Sequence, residues 1–167
     1  VGIEAKMFEK EGVEIEVTSF RGDAQLQQAL AAGSLDVGLG SGPGLGFRAK
    51  GAPAIGVAAM YGPPANLALV LPLDSPIKTV ADLKGKKMGY TNPRSTSQAL
   101  ATLVLQSGGL KTEDVELVKT GGFGEGVAAL DAGLIDATPI PEPLWSKFTG
   151  KYRAIAKASE LLPPLAN

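Results

Sequence analysis

Apolar and polar residues alternate along one stretch of the chain and recur every three or four positions along others. Alternation over 13–20 (VEIEVTSF) predicts a half-buried strand, and short apolar runs predict further strands. The predicted strands cover 13–20, 35–40, 53–61, 66–72, 114–120 and 135–140, with one more ending near residue 91. Helical periodicity predicts helices over 3–11, 24–32, 44–50, 95–107 and 125–132. Strands that alternate with helices are typical of an α/β protein.

A nine-residue motif occurs in two similar copies in the chain. ALAAGSLDV at 29–37 returns as ALDAGLIDA at 129–137, with Ala, Leu, Ala, Gly and Asp at matching positions. Each copy reads as a helix end, a glycine stop and a strand start, as in a βαβ unit. Since glycine caps are common, the repeat could arise in any α/β protein. The other interpretation is two lobes of similar build, at 1–68 and 69–163, with a crossing or hinge segment at 66–75.

Composition narrows the chemistry open to the chain. Of its 167 residues, 44% are hydrophobic and 20% charged, which favours a packed core over disorder. The sequence contains no Cys and no His, so it offers no disulfide, thiol nucleophile, histidine base or usual zinc site. A net charge of −1, with scattered Lys and Arg, gives no basic surface for nucleic acid. No apolar run reaches the roughly 18 residues of a membrane span.

Four turns rich in small residues follow predicted strands and open predicted helices. They are FRGDA (20–24), GSGPG (40–44), TNPRSTS (91–97) and TGGFGEG (120–126). In open parallel sheets, ligands bind at such turns, where backbone N–H groups and helix dipoles favour negative charge. Each turn alone is also compatible with an ordinary tight loop. Tyr61, Phe123 and Trp145 fall near strand ends, where they could stack on a ligand or pack in the core.

The turn at 91–97 combines the most features of an anion site. Ser95, Thr96 and Ser97 supply hydroxyls at the start of a predicted helix, and Arg94 adds a positive charge. Asn92 and the following proline break the preceding strand. The alternative is that Ser95 only caps the helix, which stabilises it by about 1 kcal/mol.

Several segments together resemble the solute-binding proteins of ABC importers, in the branch that handles sulfonates, nitrate and thiamine precursors. They are MFEKEGVEIEV, ALAAGSLDVGLGSGP, AKGAPAIGVAAM, DSPIKTVADLKGKKMGY and PEPLW. The resemblance implies a two-lobe type II periplasmic-binding-protein-like α/β fold, with helix-flanked sheets and a ligand cleft between the lobes. It also implies that lobe 1 lacks its first strand and its C-terminal return, so we expect a chain incomplete at both ends.

The function implied by this resemblance is a receptor that binds a small organic anion or zwitterion without chemistry. Its partners would be the ligand and the permease of an ABC transporter, and it would touch a membrane only through the permease or a lost lipid anchor. We expect no catalytic residues, cofactor, metal or nucleic acid, and a periplasmic or extracellular location. Two alternatives stay open: a metabolic enzyme on the same fold, similar to pyrimidine synthases, and a ligand-sensing regulatory domain.

The expected ligand-binding residues come from the four turns and from positions that the resemblance adds. They are Arg21, Gly22, Asp23, Ser41, Gly42, Pro43, Tyr61, Asn92, Arg94, Ser95, Thr96, Ser97, Gly122, Phe123, Glu142 and Trp145. Two carboxylates among them, Asp23 and Glu142, would repel a ligand that is only anionic. This favours a ligand that also carries a cationic or N–H donor group, unless both carboxylates only cap helices.

Two further expectations concern structure. Asp36 and Asp136 follow the two glycine stops, and we expect structural roles for them at strand starts. Without the missing segments, lobe 1 should expose apolar surface around Val17, Val37 and Val57.

Overall fold

The computed structural model describes residues 2–40, 42–58, 67–142, 144–148 and 150–161. The α-helices are α1 (Met7–Lys10), α2 (Asp23–Ala31), α3 (Pro43–Ala49), α4 (Thr96–Ser107), α5 (Phe123–Asp131) and α6 (Ala158–Leu161). The strands are β1 (Leu67–Pro72), β2 (Lys87–Tyr90), β3 (Glu116–Lys119), β4 (Thr138–Pro141) and β5 (Tyr152–Lys157). Short 3₁₀ helices cover Val80–Leu83, Thr112–Asp114 and Trp145–Phe148.

The five strands lie side by side in the C-terminal part of the chain. β1 pairs antiparallel with both β4 and β5, and β2 pairs parallel with β3. A parallel bridge from Met88 to Ala137 places β2 beside the start of β4. The spatial order is therefore β3-β2-β4-β1-β5. The β2–α4–β3 segment is a parallel crossover unit, as the periodicity predicts.

β1 carries the centre of the core because both of its faces are covered. Leu69 belongs to a cluster that includes Val104 of α4, whereas Val70 packs in a second cluster with Leu130 of α5. Leu69, Val70 and Val104 have no solvent-exposed surface. Since side chains alternate along a strand, one apolar run supplies both faces of the sheet.

The predicted helices at 24–32, 44–50, 95–107 and 125–132 are confirmed to within two residues at each end. The strands predicted at 66–72, 114–120 and 135–140 are confirmed over part of their length. The helix predicted over 3–11 is wrong in extent, since α1 has four residues. Lys6 precedes it with a left-handed φ of 52°, and Met7 and Phe8 are exposed, so no core contact extends the helix.

The strands predicted at 13–20 and 35–40 are wrong, and the described part of 53–61 is not a strand either. Residues 59–61 lie outside the described residues. These segments have no hydrogen-bonded neighbouring strand in the described part of the chain. Their apolar side chains face solvent, with Val17, Val37 and Val57 being 66%, 72% and 79% exposed, which confirms the expected apolar surface. The lobe boundaries stay a prediction.

The two aspartates after the glycine stops differ in their surroundings. The Asp136 carboxylate accepts a hydrogen bond from the Lys87 N–H at 2.8 Å, and its own N–H donates to the Lys87 carbonyl at 2.8 Å. Asp136 therefore fixes the start of β2, in the structural role expected of it. Asp36 is exposed, and no described residue hydrogen-bonds its carboxylate.

Among the described residues, none of the helices combines the length and apolarity of a membrane span.

Candidate functional site

Three helices begin at one cavity of about 330 Å³, which we call the helix-end cavity. The N-cap or first residues of α2, α4 and α5 all line it. The lining among described residues is Phe20, Arg21, Gly22, Asp23, Thr91, Ser95, Thr96, Ser97, Gly121, Gly122, Phe123 and Glu125. The first N–H groups of a helix have no carbonyl partner inside it, so the helix ends supply donors and partial positive charge to one space.

The three helix ends differ in the charge of their first turn. α2 carries Asp23 and α5 carries Glu125, whereas the first turn of α4 has no acidic residue. The Glu125 carboxylate folds back over its own helix end, as shown by its oxygens lying against the place that a Cβ on Gly122 would occupy. A carboxylate near a helix N-terminus offsets the dipole there. The α4 end is therefore the one of the three best suited to an external anion.

Three hydroxyls of the turn at 91–97, which we call the anion loop, hydrogen-bond to one another. The Ser97 hydroxyl accepts from the Thr91 N–H at 2.9 Å and lies 2.8 Å from the hydroxyls of Thr91 and Ser95. The Ser95 hydroxyl caps α4 by accepting from the Gln98 N–H at 3.2 Å. Thr91, Ser95 and Ser97 are all buried. These hydroxyls hold the helix end in shape, so a ligand at this end would be bound mainly through backbone N–H groups.

Asn92 ties three loops of the cavity together. Its side-chain amide donates to the carbonyl of Arg21 and, at 2.9 Å, to the carbonyl of Gly121. Gly22 has a φ of 147°, and a Cβ on it would approach the Asn92 amide nitrogen to 3.5 Å. Such a φ favours glycine, which lets the backbone pass close to Asn92. Asn92 thus joins the N-terminal segment to the β3–α5 turn.

The charges of the helix-end cavity are mixed. Arg21 lines it together with the carboxylates of Asp23 and Glu125. The Arg21 N–H bonds the Gln25 side chain at 3.2 Å, which fixes the turn that enters α2. An anionic group held at α4 would therefore have carboxylates on the neighbouring helix ends. Any ligand that fills the whole cavity must satisfy both signs of charge.

A second space of about 400 Å³ lies between α3 and α4, and we call it the α3–α4 cavity. Its described lining is Pro43, Gly46, Phe47, Lys50, Arg94, Ser95, Gln98, Ala99 and Thr102. Ser95 lines both spaces. Arg94 has a left-handed φ of 61°, and its N–H bonds the Gln98 side chain at 2.6 Å. This backbone turn carries Arg94 away from the helix-end cavity and to the neighbouring one.

Most predicted site residues with described positions border one of these two spaces. Arg21, Gly22, Asp23, Ser95, Thr96, Ser97, Gly122 and Phe123 line the first, and Pro43 and Arg94 line the second. Asn92 acts through the hydrogen bonds already given. Gly42 lines neither space, and Ser41 and Tyr61 lie outside the described residues.

Glu142 and Trp145 line neither cavity. The Glu142 carboxylate accepts from the Ser146 N–H at 3.3 Å and from the Ser146 hydroxyl at 2.5 Å, so it caps the following 3₁₀ helix. Trp145 packs against the core cluster on the α5 side, with the Lys157 ammonium 5.5 Å from its ring centroid. The second carboxylate near the anion loop is Glu125. Its position three residues after the N-cap Gly122 was the signal that sequence reasoning overlooked.

Sequence reasoning also missed the α3–α4 cavity. Phe47, Lys50, Gln98, Ala99 and Thr102 face each other there from two helices. Gln98 and Thr102 are four positions apart and therefore lie on one face of α4. Nothing in the chain indicated that α3 would pack opposite that face.

The sequence over residues 1–159 matches the family model described as NMT1/THI5 like. The chain belongs to this family. Since the match covers nearly all of the chain, it includes both cavities. Membership confirms the resemblance drawn from the sequence segments alone.

Individual relatives are similar over shorter shares of their own length. A protein of Escherichia coli (strain K12), provisionally named as aliphatic sulfonates-binding, is 32% identical over 145 residues, or 85% of this chain and 45% of that protein. A protein of Haemophilus influenzae (strain ATCC 51907 / DSM 11121 / KW20 / Rd), provisionally named for thiamine biosynthesis, is 37% identical over 112 residues. That match covers 66% of this chain and 35% of that protein.

A solved structure confirms the fold class. The crystal structure of the periplasmic aliphatic sulphonate binding protein SsuA from Escherichia coli matches with a TM-score of 0.77 at 28% identity. The match covers 96% of this chain and 56% of that one. The chain thus has the α/β fold of periplasmic binding proteins and spans about half the length of the relatives it matches.

Proposed function

We propose that this chain belongs to a periplasmic solute receptor that binds a small organic anion or zwitterion and delivers it to the permease of an ABC importer. Membership of the family supports this role, and so do the names of two similar proteins, which describe them as sulfonate-binding. The ligand is held without being transformed. The lobes at 1–68 and 69–163 close on it, and the segment at 66–75 serves as the hinge.

The observation that carries the proposal is the meeting of three helix N-termini at one cavity, with α4 lacking an acid in its first turn. Backbone N–H groups fixed at a helix end bind sulfonate, carboxylate or phosphate-like oxygens without any reorganisation. Thr96 and Ser97 open α4 and bring these groups to the cavity. The buried hydroxyls of Ser95 and Ser97 keep that end rigid.

The two carboxylates of the cavity refine the ligand class. Asp23 and Glu125 would repel a second anionic group, and they attract an ammonium or another N–H donor. The ligand that fits the cavity therefore carries a donor group within a few bonds of its acidic group. Amino-sulfonates and protonated heterocycles with an acidic substituent satisfy both requirements.

The direct test introduces a carboxylate where α4 lacks one. Thr96→Asp gives α4 the same first residue that α2 has in Asp23, and Thr96→Asn is its neutral match in size. An aspartate at a helix start stabilises the helix, so Thr96→Asp should melt no lower than Thr96→Asn. Calorimetry with ethanesulfonate and 2-aminoethanesulfonate on the full-length protein gives the affinities.

We expect Thr96→Asp to bind either sulfonate about 10-fold or more weakly than Thr96→Asn, because two negative charges then share one helix end. Equal affinities in the two variants would move the anion away from α4. If the unaltered protein binds no organic anion from a panel of sulfonates, carboxylates and phosphonates, the receptor role itself is refuted.

One relative provides a second candidate function. The provisional thiamine biosynthesis name of the Haemophilus influenzae protein suggests a precursor of thiamine as ligand or substrate, and one half of thiamine is an aminopyrimidine ring. Such a ring would present N–H donors to Asp23 and Glu125. Incubating the protein with an aminopyrimidine alcohol and following its proton NMR spectrum separates the roles, because binding broadens the signals and turnover creates new ones.

A further inference from the structure

We propose that the Asn92 side chain links the two lobes in their closed arrangement and thereby sets how slowly a bound ligand leaves. Asn92 lines neither of the two cavities, so it acts as a positioning residue and not through contact with the ligand. The inference rests on the proposed function, because it requires lobes that open and close around a ligand. We call the hydrogen bond from Asn92 to Arg21 the interlobe link.

The two carbonyls that accept from Asn92 occupy matching positions in the chain. The carbonyl of Arg21 stands one residue before Gly22, the N-cap of α2. The carbonyl of Gly121 stands one residue before Gly122, the N-cap of α5. The two acceptors are 100 positions apart, as are the copies of the nine-residue motif. One amide therefore joins the starts of two corresponding helices, one in each proposed lobe.

Both ends of the interlobe link are held by bonds within their own lobe. An asparagine amide nitrogen has two N–H donors, and one of them bonds the carbonyl of Gly121 at 2.9 Å. The other is thereby directed to the carbonyl of Arg21. The Arg21 turn is fixed as well, since its N–H bonds the Gln25 side chain at 3.2 Å. Little freedom is lost when such a donor and acceptor meet, which favours the link.

The interlobe link connects two parts of the chain that are otherwise bonded separately. Of the hydrogen bonds and salt bridges between described residues, it alone joins the part up to residue 58 to the part from residue 67 onward. A rigid-body opening of the lobes would therefore break this bond and leave the bonds inside each lobe intact. Its free energy favours the closed arrangement alone.

The test measures both rate constants of binding on the full-length protein by NMR line-shape analysis. The probe is 2-aminoethanesulfonate, or the member of the anion panel that binds the unaltered protein most tightly. Asn92→Leu keeps the branched shape of the side chain, removes its donors and adds no charge that would itself repel an anion. We expect dissociation to become about three- to tenfold faster, the range for the loss of one hydrogen bond. Association should change by less than about twofold, because the ligand enters an open form in which the link is already broken.

Thr120→Val is the matched control. The Thr120 hydroxyl also bonds two backbone carbonyls, those of Tyr90 at 3.0 Å and Gly122 at 3.1 Å, but all three residues belong to one lobe. Its loss should leave the dissociation rate within about twofold of that of the unaltered protein. If Asn92→Leu does not fold, Asn92→Ala replaces it, since Asn92 is only half-buried and alanine lacks the same donors.

Faster dissociation in the Asn92 variant alone, with association nearly unchanged, supports the interlobe link. An unchanged dissociation rate overturns it. An equal acceleration in Thr120→Val also overturns it, because the shape of the β3–α5 turn would then explain the effect. A loss of affinity that appears in association would instead assign Asn92 to the ligand site. In all these cases the unaltered protein still binds the probe. If it binds no anion of the panel, the proposed function fails and the link with it, so the two failures are distinguishable.

Discussion

The two copies of the nine-residue motif, at 29–37 and 129–137, have the same structure up to their glycine and different surroundings after it. α2 ends with the N–H of Gly33 bonded to the Leu30 carbonyl at 3.1 Å, and α5 ends with that of Gly133 bonded to the Leu130 carbonyl at 3.1 Å. The two glycines have φ values of 69° and 67°. In each copy the next N–H also reaches back to the helix, which completes the same Schellman ending.

After the glycine, the copies diverge in burial. Ile135 is 3% exposed and Ala137 is fully buried, whereas the matching Val37 is 72% exposed. The second copy runs beside β2, to which Asp136 and Ala137 donate backbone hydrogen bonds. The first copy has no such neighbour among the described residues.

The difference separates local from non-local information. The hydrogen bonds that end a helix at a glycine join residues within about six positions of one another. The same local sequence therefore gives the same helix ending in both copies. The backbone N–H and C=O groups of a strand form their hydrogen bonds with a neighbouring strand. The second copy therefore leads into β4 beside β2, whereas the first copy ends in an exposed segment beside which no described strand lies.

The largest expected contrast comes from the leucine that both copies share. Leu130 is 3% exposed in the core cluster on the α5 side, so Leu130→Ala should lower the free energy of unfolding by about 2–4 kcal/mol. Leu30 is half-buried against Gly38, and Leu30→Ala should cost about 1 kcal/mol. Urea denaturation measures both. Equal costs would show that the first copy is as well packed as the second.

The glycines should give matched effects instead. Gly33→Ala and Gly133→Ala each place a Cβ at a left-handed φ, which costs about 1–2 kcal/mol. Nothing lies within 4 Å of either added Cβ, so no clash adds to the cost. Thermal denaturation of both variants checks this. A loss confined to Gly133→Ala would mean that the first copy melts separately, before the sheet.

The aspartates should again differ, by less. Asp136→Ala removes the acceptor of the Lys87 N–H and should cost about 1 kcal/mol. Asp36→Ala removes an exposed side chain without a bond to a described residue and should change stability by no more than about 0.5 kcal/mol. Both variants should keep the ligand affinity of the folded protein. A large loss of affinity with an unchanged melting temperature would assign either aspartate to the site.

The smallest expected effect concerns acid stability. The pKa of Asp131, which stands where the first copy has Ala31, is lowered by hydrogen bonds from the Lys151 ammonium and the Tyr152 hydroxyl. A lowered folded pKa stabilises the fold above the ordinary aspartate pKa of about 3.9, and this contribution is lost as pH falls through the folded value. Asp131→Asn should therefore flatten the decline in melting temperature below about pH 4. Asp36→Asn is the control, and an equal flattening there would refute the assignment to Asp131.

Elements that depend on local sequence are predicted well, and elements that depend on a distant partner are not. The helices α2 to α5 have apolar periodicity and end signals within their own sequence, and they were predicted closely. β1 is an apolar run that any sheet would bury. The alternation at 13–20 is equally clear, yet Val13, Ile15 and Val17 are exposed, because alternation does not supply a neighbouring strand.

Within the site, positions were easier to predict than roles. Ser95, Ser97 and Asn92 lie at the predicted place, but their polar atoms bond Gln98, Thr91, Arg21 and Gly121. Type and spacing of residues predicted a helix start, whereas hydrogen-bond partners depend on how loops from distant segments meet. For the same reason Phe47 could not be placed, whereas the position of Glu125 three residues after the N-cap Gly122 is a local signal that the sequence does contain.

An anion site at the start of α4 can be tested directly through the backbone amides that would contact the ligand. Titrating ¹⁵N-labelled full-length protein with ethanesulfonate should shift the amide signals of Thr96 and Ser97 in a saturable way, with smaller shifts at Gly122 and Gly22. The amides of Asp36 and Val37, which line neither cavity, should stay in place. Saturable binding that leaves Thr96 and Ser97 unmoved and shifts the amides around Trp145 instead would contradict an anion site at the start of α4.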